Sequence, residues 1–210
     1  MLSESSERHF LGTYPRNGSV VATPPSCIQV LFDQPVRAVS AGLIDCDGTA
    51  VPCSVREHDD RLLIYPGGPF MRQCAILATW KALDCRDREE SGSFSFQVGV
   101  TLDTGTAMSL VTEPAVKAVL SSARPGLTSL SLAIPAARGQ VWWTQGRVAE
   151  PLVWEAHRVR GTLVARGVLP LPGEWRMQAR ISMRDGSMIE IDSAAMIESR
   201  AAVGSSASVA

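Results

Sequence analysis

Residues 80–99 read WKALDCRDREESGSFSFQVG, and the first half of the chain is organised around them. An apolar run leads into a charged segment, and then Phe94, Phe96 and Val98 alternate with Ser and Gln. Successive side chains of a β-strand point to opposite faces, so the alternation predicts an apolar face in a core and a polar face in water. The stretch therefore predicts two strands joined by a charged turn, a position where all-β proteins often carry their function.

Composition limits the classes of function. The chain has 210 residues, of which 45% are hydrophobic, enough for one large or two ordinary domains. A net charge of −1 and a pI near 6.3 predict no attraction to nucleic acid or to an anionic membrane surface. The polar start, MLSESSERHF, lacks the apolar core of a signal peptide, and no run approaches the roughly 20 apolar residues of a membrane helix. We expect no nucleic-acid partner and no direct membrane insertion.

Short alternating runs bounded by turn residues recur along both halves of the chain. Residues 27–32 and 61–65 predict strands, and residues 41–45 and 50–55 predict a hairpin around an Asp-Gly turn. This spacing is typical of an Ig-like sandwich or a Greek-key barrel. We therefore predict an all-β protein with two Ig-like or Greek-key β-sandwich domains in tandem.

The predicted domain organisation follows from where this pattern stops and resumes. A Thr-, Ser- and Ala-rich segment, in which Glu113 and Pro114 suit the start of a short helix over 113–122, interrupts the strands. The predicted parts are a flexible start at 1–8, a first domain at 9–100, a linker at 101–125, a second sandwich at 126–197 and a disordered tail at 198–210.

Five cysteines all lie within the first 85 residues, with no Cys-x-x-Cys pair. Cys46 and Cys53 flank the turn at Asp47-Gly48, so we predict them as a candidate disulfide across the hairpin. The alternative is that all five are small buried thiols. The odd number leaves at least one thiol free or paired between chains.

Three motifs carry a family resemblance. They are a Pro-x-x-Gly turn at 15–18, a strand that closes on Phe32 before a Pro-Val pair, and the run Gly-Ser-Phe-x-Phe-x-Val at 92–98. Across residues 7–100 the chain resembles the CopC family of bacterial copper-resistance proteins. The resemblance implies a small Greek-key β-barrel, copper as the metal, and a periplasmic or otherwise extracytoplasmic location.

The second half carries a resemblance of its own. Residues 169–186, LPLPGEWRMQARISMRDG, resemble the small YtkA-type β-sandwich that accompanies CopC-like modules in copper-transport proteins. The shared feature is a Pro-Gly-x-Trp turn followed by a strand. Together the two resemblances imply a membrane copper transporter or another envelope protein as the partner.

The family's copper ligands do not transfer directly. In CopC-like proteins Cu(II) is held by the amino-terminal His, with its amine, and by an Asp and a His two residues apart in the final turn, donors that suit a tetragonal site. In this chain those slots fall on Glu7, Arg86 and Arg88. Arginine has no lone pair to offer a metal, so the family ligands are largely lost.

The remaining metal candidates are His9, Asp84 and Asp87, which lie close to those slots. They would form a shifted copper site. The alternative is a solvated charged turn in which arginines pair with carboxylates.

The sequence shows no catalytic motif: it has no Gly-rich phosphate loop, no Gly-x-Ser-x-Gly and no His-Glu-x-x-His, and only three histidines. We expect no enzyme. One hypothesis is a non-catalytic CopC-like protein associated with copper binding or homeostasis in the cell envelope. The alternative is a two-domain β-sandwich module for protein interaction without metal.

Adjacent Trp142 and Trp143 put one indole on each face of a strand, either as a docking contact or at a domain seam.

Overall fold

β-Strands alone form the regular structure of the part of the chain that the computed structural model describes, namely residues 9–68, 70, 73–99, 106–148 and 150–199. Eighteen strands make up three sheets, which confirms the predicted all-β class of sandwich-like sheets. Over these residues we find no helix with the length and apolar character needed to cross a membrane. The predicted flexible start at 1–8, and the tail from residue 200 onwards, lie outside the described residues.

The first nine strands build two sheets. They are β1 (Phe10–Tyr14), β2 (Val20–Val21), β3 (Ile28–Phe32), β4 (Arg37–Ile44), β5 (Ala50–Val51), β6 (Cys53–His58), β7 (Arg61–Pro66), β8 (Cys74–Leu83) and β9 (Glu89–Val98). One sheet has the order β1-β3-β7-β6 and the other the order β2-β9-β8-β4-β5. The chain switches repeatedly between the two sheets, as in a Greek-key sandwich, and their inner faces share one core.

An aromatic cluster fills one end of this core. The indole of Trp80 packs edge-on against Phe32, with ring centroids 5.2 Å apart, and stacks on Phe10 at 5.5 Å. Gly92 lies opposite Trp80 in the β8–β9 ladder, and a Cβ at Gly92 would overlap the indole. The Trp and the Gly of the opening stretch therefore fit each other across two paired strands. Phe94, on the same strand as Gly92, is 2% exposed, as its place in the alternation predicts.

The other nine strands form one sheet that closes on itself. They are β10 (Met108–Leu110), β11 (Thr112–Glu113), β12 (Ala118–Leu120), β13 (Gly126–Leu132), β14 (Ala136–Thr144), β15 (Leu152–Val159), β16 (Thr162–Leu169), β17 (Gly173–Met183) and β18 (Met188–Ile197). The order is β10-β12-β13-β16-β15-β14-β17-β18-β11. Only Val111 separates β10 from β11. Nevertheless, β10 pairs with β12 at one end of this order, and β11 pairs with β18 at the other end. The segment therefore joins the two edges around a core that includes Trp143 and Trp175, both 0% exposed.

The predicted short helix over 113–122 is wrong. Strand β12 occupies part of that range, and its register pairs Ala118 with Leu132 and Leu120 with Leu130. Ala118 and Leu120 are buried while Val119 between them is only half-buried, which is the period of a strand. Burial on the sheet therefore outweighs the local helix-start signal. Strands β10 to β12 fall within the predicted linker and belong to the sheet of the second half, while the division into domains stays a prediction.

The expectation that the polar face of β9 lies in water is also wrong. Ser95 is 0% exposed and Gln97 is 2% exposed, although both occupy the polar side of the alternation. Ser95 Oγ donates to the carbonyl of Val168 at 2.7 Å, and the backbone N–H of Leu127 donates to Gln97 Oε1 at 2.7 Å. The polar face of β9 thus packs on the second half of the chain through hydrogen bonds, the usual condition for burying polar groups.

The contact between β9 and the second half of the chain, which we call the seam, extends further along β9. Ser93 Oγ donates to the carbonyl of Glu150 at 2.7 Å. Asn17 bridges the halves, because its Nδ2 donates to the carbonyl of Val153 at 3.1 Å while its Oδ1 accepts from the N–H of Ser95 at 3.1 Å. The hydrogen bonds therefore bind strand β9, the Pro-x-x-Gly turn and the second sheet into one continuous contact.

Replacing Gln97 by Met tests this seam. The side chain keeps its approximate length but no longer accepts from the N–H of Leu127 or donates to the carbonyl of Gly99. A typical intramolecular hydrogen bond contributes about 0.5–1.5 kcal/mol, so we expect the loss of both to lower the free energy of unfolding in urea by about 1–3 kcal/mol. Gln140→Met is the control, because Gln140 is exposed and bonds only to Glu155 at the surface, so a change within about 0.5 kcal/mol is expected. Equal losses in the two variants would contradict a buried seam.

Candidate functional site

The charged turn between β8 and β9 is built around the carboxylate of Asp84. Its Oδ1 accepts from the backbone N–H of Arg86 at 2.7 Å and of Arg88 at 2.9 Å, while its Oδ2 accepts from Arg88 Nε at 2.7 Å. The backbone N–H of Asp84 donates to the carbonyl of Arg88 at 3.0 Å. Asp side chains commonly bond the backbone two residues on in this way and so fix a turn. The Asp84 side chain is only 2% exposed and is therefore a structural element of the turn.

These contacts set the ionisation of Asp84. Burial alone raises the pKa of this carboxyl, but the hydrogen bonds from the backbone and side chain of Arg88 and from the backbone of Arg86 outweigh it. The pKa of Asp84 is lowered from 3.8 to about 2. The carboxylate therefore stays ionised at any physiological pH.

His9 reaches the same turn from the start of the first strand. Its backbone N–H donates to Glu90 Oε1 at 3.1 Å, and its Nδ1 lies 2.9 Å from Asp33 Oδ1. The other ring nitrogen, Nε2, lies 3.1 Å from Arg88 Nη2. An Nδ1–H that donates to Asp33 leaves the Nε2 lone pair free to accept from the guanidinium. Arg88 therefore connects the imidazole of His9 to the carboxylate of Asp84.

The predicted metal candidates are thus arranged around a cation that the chain itself supplies. Arg88 lies between His9 and Asp84, and Asp87 turns instead to Arg37, with 2.7 Å between its Oδ1 and the guanidinium Nη2. Cu(II) needs lone pairs from imidazole and carboxylate, and here those lone pairs face N–H donors. Within the described residues no group of three or more His, Cys, Asp or Glu side chains is placed to hold a metal ion. The donor set as arranged does not fit Cu(II).

The three positions that correspond to the family's copper ligands have different places in the structure. Arg88 occupies the centre of the network just described, and Arg86 contributes its backbone N–H to the turn. Glu7 lies outside the described residues. Sequence reasoning missed Asp33 and Glu90 as partners of His9. In the sequence only their charge marked these two residues as possible partners, because Asp33 follows the end of β3 and is 24 positions from His9.

The predicted Cys46–Cys53 disulfide is wrong. The β4–β5 ladder pairs Leu43 with Val51, so the same register carries Cys53 towards Ala41, whose carbonyl accepts from Cys53 Sγ at 3.7 Å. Cys46 lies within the turn, where its Sγ is 2.7 Å from that of Cys74. A hairpin centred on the Asp-Gly turn cannot set Cys46 opposite Cys53, because the two are at unequal distances from its centre.

A cleft of about 420 Å³ opens beside the turn at the junction of the two halves. Three carboxylates and several aromatic rings line it. Its main lining residues are Phe10, Trp80, Glu89, Glu90, Trp142, Glu150 and Val153. Trp143, by contrast, is fully buried in the second core, so the paired tryptophans do point to opposite faces of their strand and Trp142 faces the seam.

Comparison with known proteins adds a likeness of fold. No family model and no curated protein matches the chain. Among solved structures, PcoC, a methionine-rich copper resistance protein from Escherichia coli, is 20% identical, covering 43% of this chain and 97% of its own with a TM-score of 0.38. CopC from Methylosinus trichosporium OB3b is 16% identical, covering 43% of this chain and 92% of its own with a TM-score of 0.38.

A solved enzyme structure is similar over more of the chain. α-L-Rhamnosidase from Dictyoglumus thermophilum is 11% identical, covering 88% of this chain and 29% of its own with a TM-score of 0.29. At these identities and TM-scores the likenesses extend to no site or activity. The class that the fold itself defines is an all-β protein of packed β-sandwich sheets.

The lowered pKa of Asp84 gives a testable pH dependence. A carboxyl whose pKa is lower in the folded than in the unfolded state stabilises the fold above its ordinary pKa of 3.8, and this contribution is lost as the pH falls towards about 2. We therefore expect Asp84→Asn to be less stable than the wild type above pH 4, with the difference shrinking between pH 4 and pH 2. Denaturant unfolding of both proteins across that range measures it.

Asp87→Asn is the matched control for this experiment. Asp87 belongs to the same turn, but its carboxylate is 79% exposed and pairs only with an exposed Arg37. Such a surface pair contributes about 0–1 kcal/mol. A wild-type-to-Asp84→Asn difference that stayed constant from pH 7 to pH 2 would show that the Asp84 charge does not hold the turn.

Proposed function

We propose that this protein is a non-catalytic component of copper homeostasis in the cell envelope that does not hold Cu(II) through His9, Asp84 and Asp87. The copper association rests on the motifs of residues 7–100 that resemble CopC-like proteins. The loss of the ligands rests on one observation, the position of the Arg88 guanidinium between His9 Nε2 and the Asp84 carboxylate.

The guanidinium of Arg88 supplies the positive charge that a metal ion would otherwise supply. A guanidinium stays protonated throughout the physiological range and has no lone pair, so it takes the place of a cation without being a ligand. A copper ion would have to displace the Arg88 guanidinium from both His9 and Asp84. The displaced guanidinium would stay attached to the turn beside the metal, where like charges repel. The turn is therefore complete without metal.

Copper titration tests the proposal directly. We expect the full-length, metal-free protein to show no one-to-one Cu(II) binding in competition with a chelator, and His9→Ala and Asp87→Ala to behave like the wild type. The double variant Arg86→Asp/Arg88→His restores an Asp and a His to the family slots, and we expect it to gain at least tenfold in Cu(II) affinity with a visible copper band. Tight wild-type binding that His9→Ala abolishes would overturn the proposal.

A second candidate, a protein-interaction module without metal, is favoured by the cleft. In the described part of the chain, β2 pairs with β9 only at Gln97 and Val98, so the first half of β9 forms a sheet edge on its side away from β8. The cleft is lined by residues of that edge. Extended peptides commonly bind such an edge as an added strand.

Charge and aromatic rings indicate which peptide would fit. Glu89, Glu90 and Glu150 line the cleft, and although Lys81 pairs with Glu89 at 2.9 Å, the three carboxylates outnumber this cation and leave a net negative charge. Trp142 offers an indole face to a cationic side chain, an interaction worth about 0.5–1 kcal/mol at exposed sites. The favoured partner is therefore an extended, positively charged segment of an envelope protein such as a copper transporter.

Peptide binding discriminates this second function. We expect the full-length protein to bind a peptide alternating Lys and Val at least tenfold more tightly than one alternating Glu and Val, measured by fluorescence anisotropy at low salt, because of the negative charge of the cleft. Trp142→Ala should weaken that binding. Met196→Ala, which removes an exposed apolar side chain outside the cleft, should not. Equal affinity for both peptides would exclude the cleft as a cation-selective docking site.

A further inference from the structure

We infer that Cys46 and Cys74 form an intramolecular disulfide that ties the β4–β5 turn to the start of β8. Their sulfur atoms lie 2.7 Å apart, and the two residues are 2% and 0% exposed. The sulfur atoms of the other three cysteines contact carbonyl or amide oxygens. This inference stands independently of the copper proposal.

The backbone holds both residues in place. Asp45 Oδ1 accepts from the N–H of Asp47 at 3.0 Å and of Thr49 at 2.8 Å, which fixes the turn that carries Cys46. The N–H of Cys46 itself donates to Cys74 Sγ at 3.2 Å. Closing a sulfur–sulfur bond of about 2.05 Å therefore requires two sulfur atoms that are already 2.7 Å apart to approach by less than about 1 Å.

The other three thiols have separate environments. Cys27 Sγ donates to the carbonyl of Ile28 at 3.6 Å, and Cys53 Sγ to that of Ala41 at 3.7 Å. Cys85 is exposed in the charged turn and contacts Gln34 Oε1 at 3.5 Å. Pairing is therefore specific to Cys46 and Cys74.

The bond requires an oxidant, and a small disulfide such as oxidised glutathione supplies one. A thiolate of one cysteine attacks that disulfide and releases one reduced glutathione, and the second cysteine then attacks the mixed disulfide and releases the other. Two protons and two electrons thus pass from the protein thiols to one glutathione disulfide. Contact with Cys46 and burial raise the pKa of the Cys74 thiol, so thiolate is scarce once the chain has folded. The bond therefore forms while the chain folds, before the pair is buried.

The bond closes a large loop. The two cysteines are 28 positions apart, and the enclosed segment carries β5, β6 and β7. A cross-link restricts the unfolded chain more as the loop grows. For a chain of this size we expect the melting temperature to rise by about 10 °C on oxidation.

Refolding of the full-length protein tests the inference. The reduced, unfolded chain is refolded in a mixture of reduced and oxidised glutathione, then alkylated in denaturant and digested without reductant for mass spectrometry. We expect a cross-linked peptide pair containing Cys46 and Cys74, with alkyl groups on the other three cysteines. Melting of the oxidised and reduced proteins then measures the temperature shift.

Two variants keep the test sharp. Cys53→Ser should retain the cross-link and the higher melting temperature, whereas Cys46→Ser should lose both and leave four alkylated thiols. The peptide analysis is made on the wild type and so does not depend on the folding of a variant. Five alkylated thiols after refolding in oxidised glutathione, or a cross-link that includes Cys53, would overturn the inference.

Discussion

The second half of strand β9, residues 94–98, is buried on both faces, and the arrangement of the two halves depends on it. One face supplies Phe94 and Phe96 to the first core, while the other presents Ser95 and Gln97 to the second half. A buried polar group left unpaired costs about 1–3 kcal/mol, so each of these hydrogen bonds penalises any shift of one half against the other. The position of the cleft beside the charged turn is a consequence, because its walls come from both sides of this seam.

The charged turn is held in shape by hydrogen bonds and charge pairs among its own residues. Asp84 organises the loop through backbone hydrogen bonds, and Arg88 supplies the positive charge that links it to His9. A metal ion would coordinate these side chains, whereas a guanidinium neutralises and orients them. The surface that results is a fixed set of charges beside the cleft.

The position of one pair of cysteines relates the β4–β5 turn to the seam. Cys46 and Cys74 meet where the β4–β5 turn approaches β8, and β8 pairs along its length with β9. A disulfide there would anchor β8, the strand beside β9 and its seam with the second half of the chain. The copper proposal and the disulfide are independent of each other.

The alternating residue pattern was enough to predict the all-β class, the strands at 27–32 and 61–65, and the core positions of Phe94 and Phe96, because a period of two sets which side chains share a face. The residue types at 86 and 88 were enough to show that Arg86 and Arg88 cannot be ligands, since arginine has no lone pair to offer. What each face contacts depends on the folding of distant segments: the polar face of β9 is buried, Arg88 lies against His9, and Cys46 contacts Cys74. These partners are 28 to 79 positions apart, and no local pattern encodes which distant segment will cover a given face.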